Sequence, residues 1–184
     1  MIVIMSNPLF HILRKFSHDR HHYDPGALVF AQGDAVQALY LVERGSVHLI
    51  RHLRDGFALT QHRAGAGAIL AEASLFSQTY HCDAIARDAA TVLCLSKAKL
   101  LAGMAKDAGL MTAWATYLAR EVQAARLKAE ILALRTVSGR LDAWLALNGG
   151  ALPPKGDWKG IATQIGVSAE ALYRELAQRR KRAR

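Results

Sequence analysis

Cysteine is scarce in this chain of 184 residues: only Cys82 and Cys94 occur. Two thiols cannot build a disulfide scaffold, and they suit a reducing cytoplasm. They also fall short of the four-cysteine set that an iron–sulfur sensor needs. Long apolar runs are missing as well. The start, Met1-Ile2-Val3-Ile4-Met5, is apolar, but polar Ser6-Asn7-Pro8 follows at once. That is too short for a signal peptide or a membrane span, so a cytoplasmic protein with no membrane partner is expected. There is no low-complexity tract and no repeat of fixed period. G-x-S-x-G, the P-loop, the dinucleotide fingerprint and H-E-x-x-H are all absent, so catalysis is not expected.

What the chain has in excess is positive charge. The formal net charge is +9 with a pI near 9.9, on an otherwise ordinary globular composition of 52% apolar and 21% charged residues. A balance of that size favours an anionic partner, most commonly nucleic acid. The charge is concentrated late: between Lys155 and Arg184, eight Lys/Arg stand against three acids.

Three regions differ in pattern. Residues 7–17 read as a short helix, with Leu9, Ile12, Leu13 and Phe16 at helical spacing. Residues 22–96 read as β. Short runs at Ala27–Phe30, Leu39–Val42, Val47–Arg51, Ala58–Gln61, Asp83–Ala86 and Thr91–Leu95 are separated by turn signals such as Asp24-Pro25-Gly26, Glu43-Arg44-Gly45 and Arg54-Asp55-Gly56. Turns about every ten residues predict a small antiparallel sandwich or barrel. Residues 97–147 then become rich in Ala, Leu, Lys, Glu and Arg, and a helix is predicted over Met111–Arg135. One apolar stripe on it is Leu118, Val122, Ala125, Ala129 and Leu132; a second is Leu127, Ile131 and Leu134. Two stripes imply two packing partners, the helix's own domain and a second copy of the helix, although an ordinary core helix would also carry such stripes.

The segment Trp158–Leu176 carries the sharpest motif. Ile161, Ala162 and Ile165 lie on a first helix. Gly166 follows where a tight turn requires positive φ, Val167 buries behind it, and Ser168 caps a second helix from Ala169 to about Gln178. Leu172 and Leu176 share one face, and small Ala162 allows a close crossing. This is a helix-turn-helix, whose second helix enters the major groove. Ala169, Glu170, Tyr173 and Arg174 are then placed at base edges, since Arg matches guanine and Glu accepts from cytosine. Lys159, Arg179 and Arg180 are placed at phosphates.

From about residue 22 to 178 the chain resembles the CRP/FNR regulators. The residues that carry the resemblance are Pro25-Gly26 with Phe30, Gly33-Asp34, Leu39-Tyr40-Leu41-Val42, Gly45-Ser46-Val47 and Gly67 through Phe76. Beyond the long helix, Val137-Ser138-Gly139-Arg140-Leu141 with Trp144-Leu145 is similar to the short helix that opens the family's winged-helix domain. The resemblance implies an α+β protein: an N-terminal antiparallel β-roll (residues 1–109), a long dimerisation helix (110–136) and a C-terminal helix-turn-helix domain (137–184). It also implies double-stranded DNA, a second copy of the chain and RNA polymerase as partners. Family members continue past the recognition helix into an apolar hairpin, the wing; Arg179–Arg184 stands there instead, so a domain without its wing is expected. The runner-up reading is an effector-sensing or interaction module with weak or non-specific DNA binding.

The expected effector pocket is Glu72, Ser74, His81, Cys82 and Asp83. Cyclic-nucleotide-binding members carry Gly-Glu and later Arg-Ser/Thr to hold the cyclic phosphate; here Ala71-Glu72 and Cys82-Asp83 take those places. A carboxylate repels a phosphate, so cAMP is not expected as the effector. His81 with Cys82, and His18, His21 and His22 near the start of the β-region, suit Zn²⁺ or Cu(I), with haem as a further candidate cofactor. Adjacent strand residues point to opposite faces, however, so His81 and Cys82 share an ion only on a turn. The plainer alternative makes the cysteines small core residues and the histidines surface groups.

Overall fold

The computed structural model describes residues 8–53 and 58–182, and the chain divides into two compact units at Ala115/Thr116. The turn expected at Arg54-Asp55-Gly56 lies outside the described residues.

The first unit is a β-roll with helices. A short helix, α1 (Pro8–Leu13), buries Leu9, Phe10 and Leu13, and a 3₁₀ turn at Arg14–Phe16 follows it. Strands β1 (Ser17–Tyr23), β2 (Leu28–Phe30), β3 (Ala38–Arg44), β4 (Val47–His52), β5 (Ala58–Ala64), β6 (Ile69–Leu70), β7 (Asp83–Ala86) and β8 (Ala90–Ser96) form two antiparallel sheets, ordered β1-β8-β3-β6 and β2-β7-β4-β5. Alternation of apolar residues sets which face is buried. Val47 and Leu49 on β4, Ala84 and Ala86 on β7, and Val42, Ala90 and Val92 from the other sheet meet in one core. Gly45 joins β3 to β4 with φ +76°, and a Cβ there would lie 2.3 Å from the Ala89 carbonyl oxygen, so only glycine fits this turn.

All six predicted runs are strands, four of them a little longer than read. Two strands had escaped the pattern. β6 has only two residues. The helix expected over 7–17 ends at Leu13 and gives way to the 3₁₀ turn, after which β1 begins; its seven residues, Ser-His-Asp-Arg-His-His-Tyr, show no apolar alternation because none of them is buried. It is an edge strand held by its backbone pairing to β8, from Ser17 opposite Leu95 to Tyr23 opposite Ala90.

Helix α2 (Lys97–Lys106) is capped by Ser96, whose Oγ accepts from the Lys99 N–H at 3.4 Å, and buries Leu100 and Met104. The long helix α3 (Ala108–Ala133) starts three residues before the expected position, because Asp107 Oδ1 accepts from the N–H groups of Gly109 and Leu110 at 2.8 and 3.1 Å. Its first turns bury Leu110 and Trp114 in the first unit. From Ala119 to Glu130 every residue is exposed, Val122 at 48%.

The second unit is a helical core. Ile131 of α3 joins α4 (Val137–Leu147), α5 (Trp158–Gln164) and α6 (Ala169–Arg182) around Leu141, Trp144, Ile161, Ile165, Leu172 and Leu176. Thr136 caps α4 through the Gly139 N–H at 3.0 Å. Of the second stripe, only Ile131 is buried; Leu127 and Leu134 stay 39% exposed. Of the first stripe, Leu132 packs its Cδ2 against Gly166. No described helix is long and apolar enough to cross a membrane.

Candidate nucleic-acid interface and effector pocket

The turn between α5 and α6 is built as the sequence requires. Gly166 has φ +65°, the Val167 N–H donates to the Ala162 carbonyl at 2.9 Å, and Ser168 Oγ accepts from the Ala171 N–H at 3.1 Å. Helix α6 runs to Arg182, four residues past the expected end, with Arg179, Arg180, Lys181 and Arg182 in its last turn. Cations there offset the negative end of the helix dipole.

Leu172 and Leu176 fix one face of α6 in the core. Glu170, Arg174, Gln178 and Lys181 recur at helical spacing on the opposite, exposed face. Gln178 and Lys181 lie outside the expected site residues; Lys181 joins this face because α6 continues past Gln178. Ala169 is half-buried beside Glu170, and Lys159 is exposed on α5. The Glu170 carboxyl is held below its usual range by its own backbone N–H at the helix start and by Ser168, with Arg174 and Lys159 adding their charges. Glu170 therefore presents an ionised acceptor between two cations.

Three expected contacts are placed differently. Tyr173 is half-buried against Trp158, with ring centroids 5.8 Å apart, rather than pointing out beside Arg174. The Arg180 guanidinium lies 5.5 Å over the Trp158 ring, at the rim of an open cleft of about 400 Å³ lined by Lys155, Trp158, Tyr173, Leu176, Ala177 and Arg180. Arg179 does not reach outward for phosphate. It donates to Asp142 Oδ1 at 2.6 Å, Glu175 Oε1 at 2.7 Å and Ser138 Oγ at 2.8 Å, which braces α6 on α4. Its side chain is 29% exposed. Arg179→Ala is accordingly expected to lower the stability of this unit by about 1–2 kcal/mol and to leave the salt dependence of DNA binding unchanged. Thermal melts and binding titrations across salt check this: unchanged stability with a salt slope reduced by about one would return Arg179 to phosphate contact.

In the roll, Ala71 has φ +64°, a left-handed conformation that glycine adopts without cost, and the 3₁₀ turn Glu72–Ser74 follows it. Glu72 is half-buried with Oε2 shielded from solvent. Ser74 is buried, and its Oγ lies 2.9 Å from His81 Nδ1. Asp83 Oδ1 accepts from the Gln32 N–H at 2.6 Å, and Oδ2 pairs with His52 Nε2 at 2.9 Å. Cys82 is buried in the core with Phe30, Tyr80 and Leu49. Burial first, then the carboxylates of Glu72 and Asp83, push its thiol up to about 11 against the opposing pull of Arg51. Folding thus gathers two carboxyl side chains around a buried thiol whose pKa is raised.

The metal candidates do not converge. Exposed His81 and buried Cys82 face opposite ways. On β1, His18 sits in the bulge between Ser17 and Asp19, roughly 13 Å from His22 at strand rise, and His21 and His22 point to opposite faces. His18 Nε2 is 3.4 Å from Asp19 Oδ2, His22 Nδ1 is 3.2 Å from Thr91 Oγ1, and the His21 ring packs 6.2 Å from Tyr23. His18, His21 and His22 therefore do not gather around one point in this structure. Among the described residues no three His, Cys, Asp or Glu side chains gather as a metal site.

The family model of the cyclic nucleotide-binding domain matches residues 20–107. The cyclic AMP receptor protein of Thermus thermophilus is 31% identical over 143 residues, which are 73% of this chain and 66% of that relative, so the match spans just under two thirds of the relative's length. The crystal structure of the Thermus thermophilus catabolite activator protein superposes with a TM-score of 0.58 at 26% identity, covering 98% of this chain and 86% of that one. FixK2 from Bradyrhizobium japonicum shares the fold alone, with a TM-score of 0.67 at 18% identity, covering 90% and 85% of the two chains. With the roll, the long helix and the helix-turn-helix in this order, the chain is similar over most of its length to CRP/FNR-type transcription regulators, and its roll matches their cyclic nucleotide-binding domain.

Proposed function

We propose that this chain is a DNA-binding regulator that acts as a homodimer and senses through its roll something other than cAMP. One observation carries the DNA reading: α6 is anchored by Leu172, Leu176 and Arg179, and its free face presents Glu170, Arg174, Gln178 and Lys181. That face has the length and chemistry of a major-groove reader. The exposed run of α3 around Val122 and Ala125 supplies the surface for a second copy.

The sensing half of the proposal rests on charge. Where a cyclic phosphate would need a cation and donors, Asp83 and Glu72 stand beside a protonated Cys82. Zn²⁺, Cu(I) and haem belong to the same question, and a metal at Cys82 would have to displace the thiol proton.

Binding to duplex DNA, followed by anisotropy across salt concentrations, tests the first half. Affinity that falls steeply with salt yet keeps a sequence preference supports the regulator. Binding indifferent to sequence would make the chain a sensing or interaction module. A calorimetric titration with cAMP tests the second half: no stoichiometric binding is expected, and a tight one-to-one isotherm would overturn it.

A further inference from the structure

The helix-turn-helix turn is tied to the end of the long helix by one side chain. Arg140 Nε donates to the Leu134 carbonyl at 2.8 Å, and Nη2 donates to the Leu132 carbonyl at 3.0 Å. Nη1 donates to the carbonyls of Gly166 at 3.0 Å and Ile165 at 3.2 Å. All four acceptors lie at helix C-termini. Leu132 and Leu134 sit where α3 ends, and Ile165 and Gly166 sit where α5 ends. Such carbonyls have no partner four residues on, and both helix ends carry the negative pole of their dipoles. The guanidinium meets both needs at once: it is planar, permanently charged and carries five N–H donors in a fixed fork.

A second contact closes the same joint. A Cβ at Gly166 would lie 2.4 Å from Leu132 Cδ2 and 3.4 Å from Arg140 Nη1, so α3 and the turn touch backbone to side chain. The α6 cap, Ser168, begins two residues later. The direction of α6 is therefore set from the end of α3.

We infer that Arg140 is a positioning residue for DNA reading: it latches the helix-turn-helix turn to the long helix, so that α6 and α3 move as one body. This rests on the proposed roles of α6 as the reader and α3 as the pairing helix. A dimer must hold two reading helices one turn of DNA apart, about 34 Å. A reader free to pivot on its pairing helix does not hold that spacing.

The test replaces Arg140 by Lys, which keeps the charge but cannot span four carbonyls, and by Gln, which removes the charge. Nitroxide labels are attached at Gln123→Cys, off the proposed pairing seam, and Gln178→Cys in the full chain, with Cys82 and Cys94 changed to Ala. Labelled chain is diluted with unlabelled chain, and the label-to-label distance is read by pulsed electron resonance. The Arg140 protein is expected to give one narrow distance. Both variants are expected to broaden it with helix content unchanged, and to weaken specific DNA binding by at least about tenfold, with the Lys variant keeping the salt slope of the parent. An equally narrow distance in both variants overturns the latch. Loss of helix content in both also overturns it, because Arg140 would then be holding the fold rather than the direction of α6. The distance measurement needs no DNA, so failure of the parent to bind DNA counts against the reader and leaves the latch to be judged on its own.

Discussion

Arg174→Ala is expected to weaken binding to a preferred duplex by about 1–3 kcal/mol, or roughly 5- to 150-fold, and to change binding to mixed-sequence DNA by only a few fold. Several side chains of α6 are engaged within the protein. Leu172 and Leu176 are in the core, Arg179 is bound to Asp142, Glu175 and Ser138, and Tyr173 and Arg180 are packed on Trp158. Of the arginines on α6, Arg174 is the one on the outward face and within the first two turns. Glu170 lies one turn before it and is held ionised at the helix start, so the pair offers a bidentate donor and an acceptor to successive base edges. Lys181 lies two turns further on, and Lys181→Ala serves as the contrast: a uniform loss over all sequences and a salt slope reduced by about one. The measurement is a competition titration at fixed salt, using a duplex selected from a random pool by the parent protein. Equal losses for selected and random duplexes in Arg174→Ala would show that Arg174 contacts phosphate, and that the readers are elsewhere.

Much of this architecture was legible because the sequence signals are local. The roll strands alternate, the long helix has apolar stripes, and Gly166 and Ser168 mark a turn whose φ and cap the structure shows. What escaped was set by partners distant in the chain. Strand β1 is polar throughout and exists because β8 offers it a backbone edge. Arg179 looked like part of a basic tail, yet its partners Asp142 and Ser138 lie 37 and 41 residues earlier. Tyr173 occupied a reading position by count but packs on Trp158, since its aromatic surface gains more from the cleft than from water. Arg140 was noted only as part of a helix-opening motif, and its acceptors lie 6 to 26 residues away. In the pocket the swapped residues were readable. How far the Cys82 thiol rises was not, because burial leads that shift and the Glu72 carboxylate is brought beside it only by folding.

Val122→Glu is expected to convert the proposed dimer to monomer at micromolar concentration, raising its dissociation constant by more than about a hundredfold. Val122 is 48% exposed in the middle of the run from Ala119 to Glu130, with Leu118 one turn before it and Ala125 one turn after. Among the described residues, this apolar surface belongs to neither the roll core nor the helical core. Paired with a second copy by two-fold symmetry, each residue of the seam meets its own counterpart or a near neighbour. A glutamate therefore enters twice, and each copy loses hydration worth several kcal/mol without gaining a partner charge. The small Ala125 and Ala129 give close helix approach and leave little space for the two carboxylates to turn away. The fold of one chain is expected to survive, since Val122 touches neither the roll core nor the helical core. Sedimentation velocity gives the mass, and a thermal melt shows whether folding is retained. DNA binding should fall with the dimer, because a single α6 reads only one half-site and loses the effective concentration that linked readers share. A variant that remains dimeric would place the pairing surface elsewhere. A monomer that binds DNA as tightly as the parent would show that one reading helix suffices.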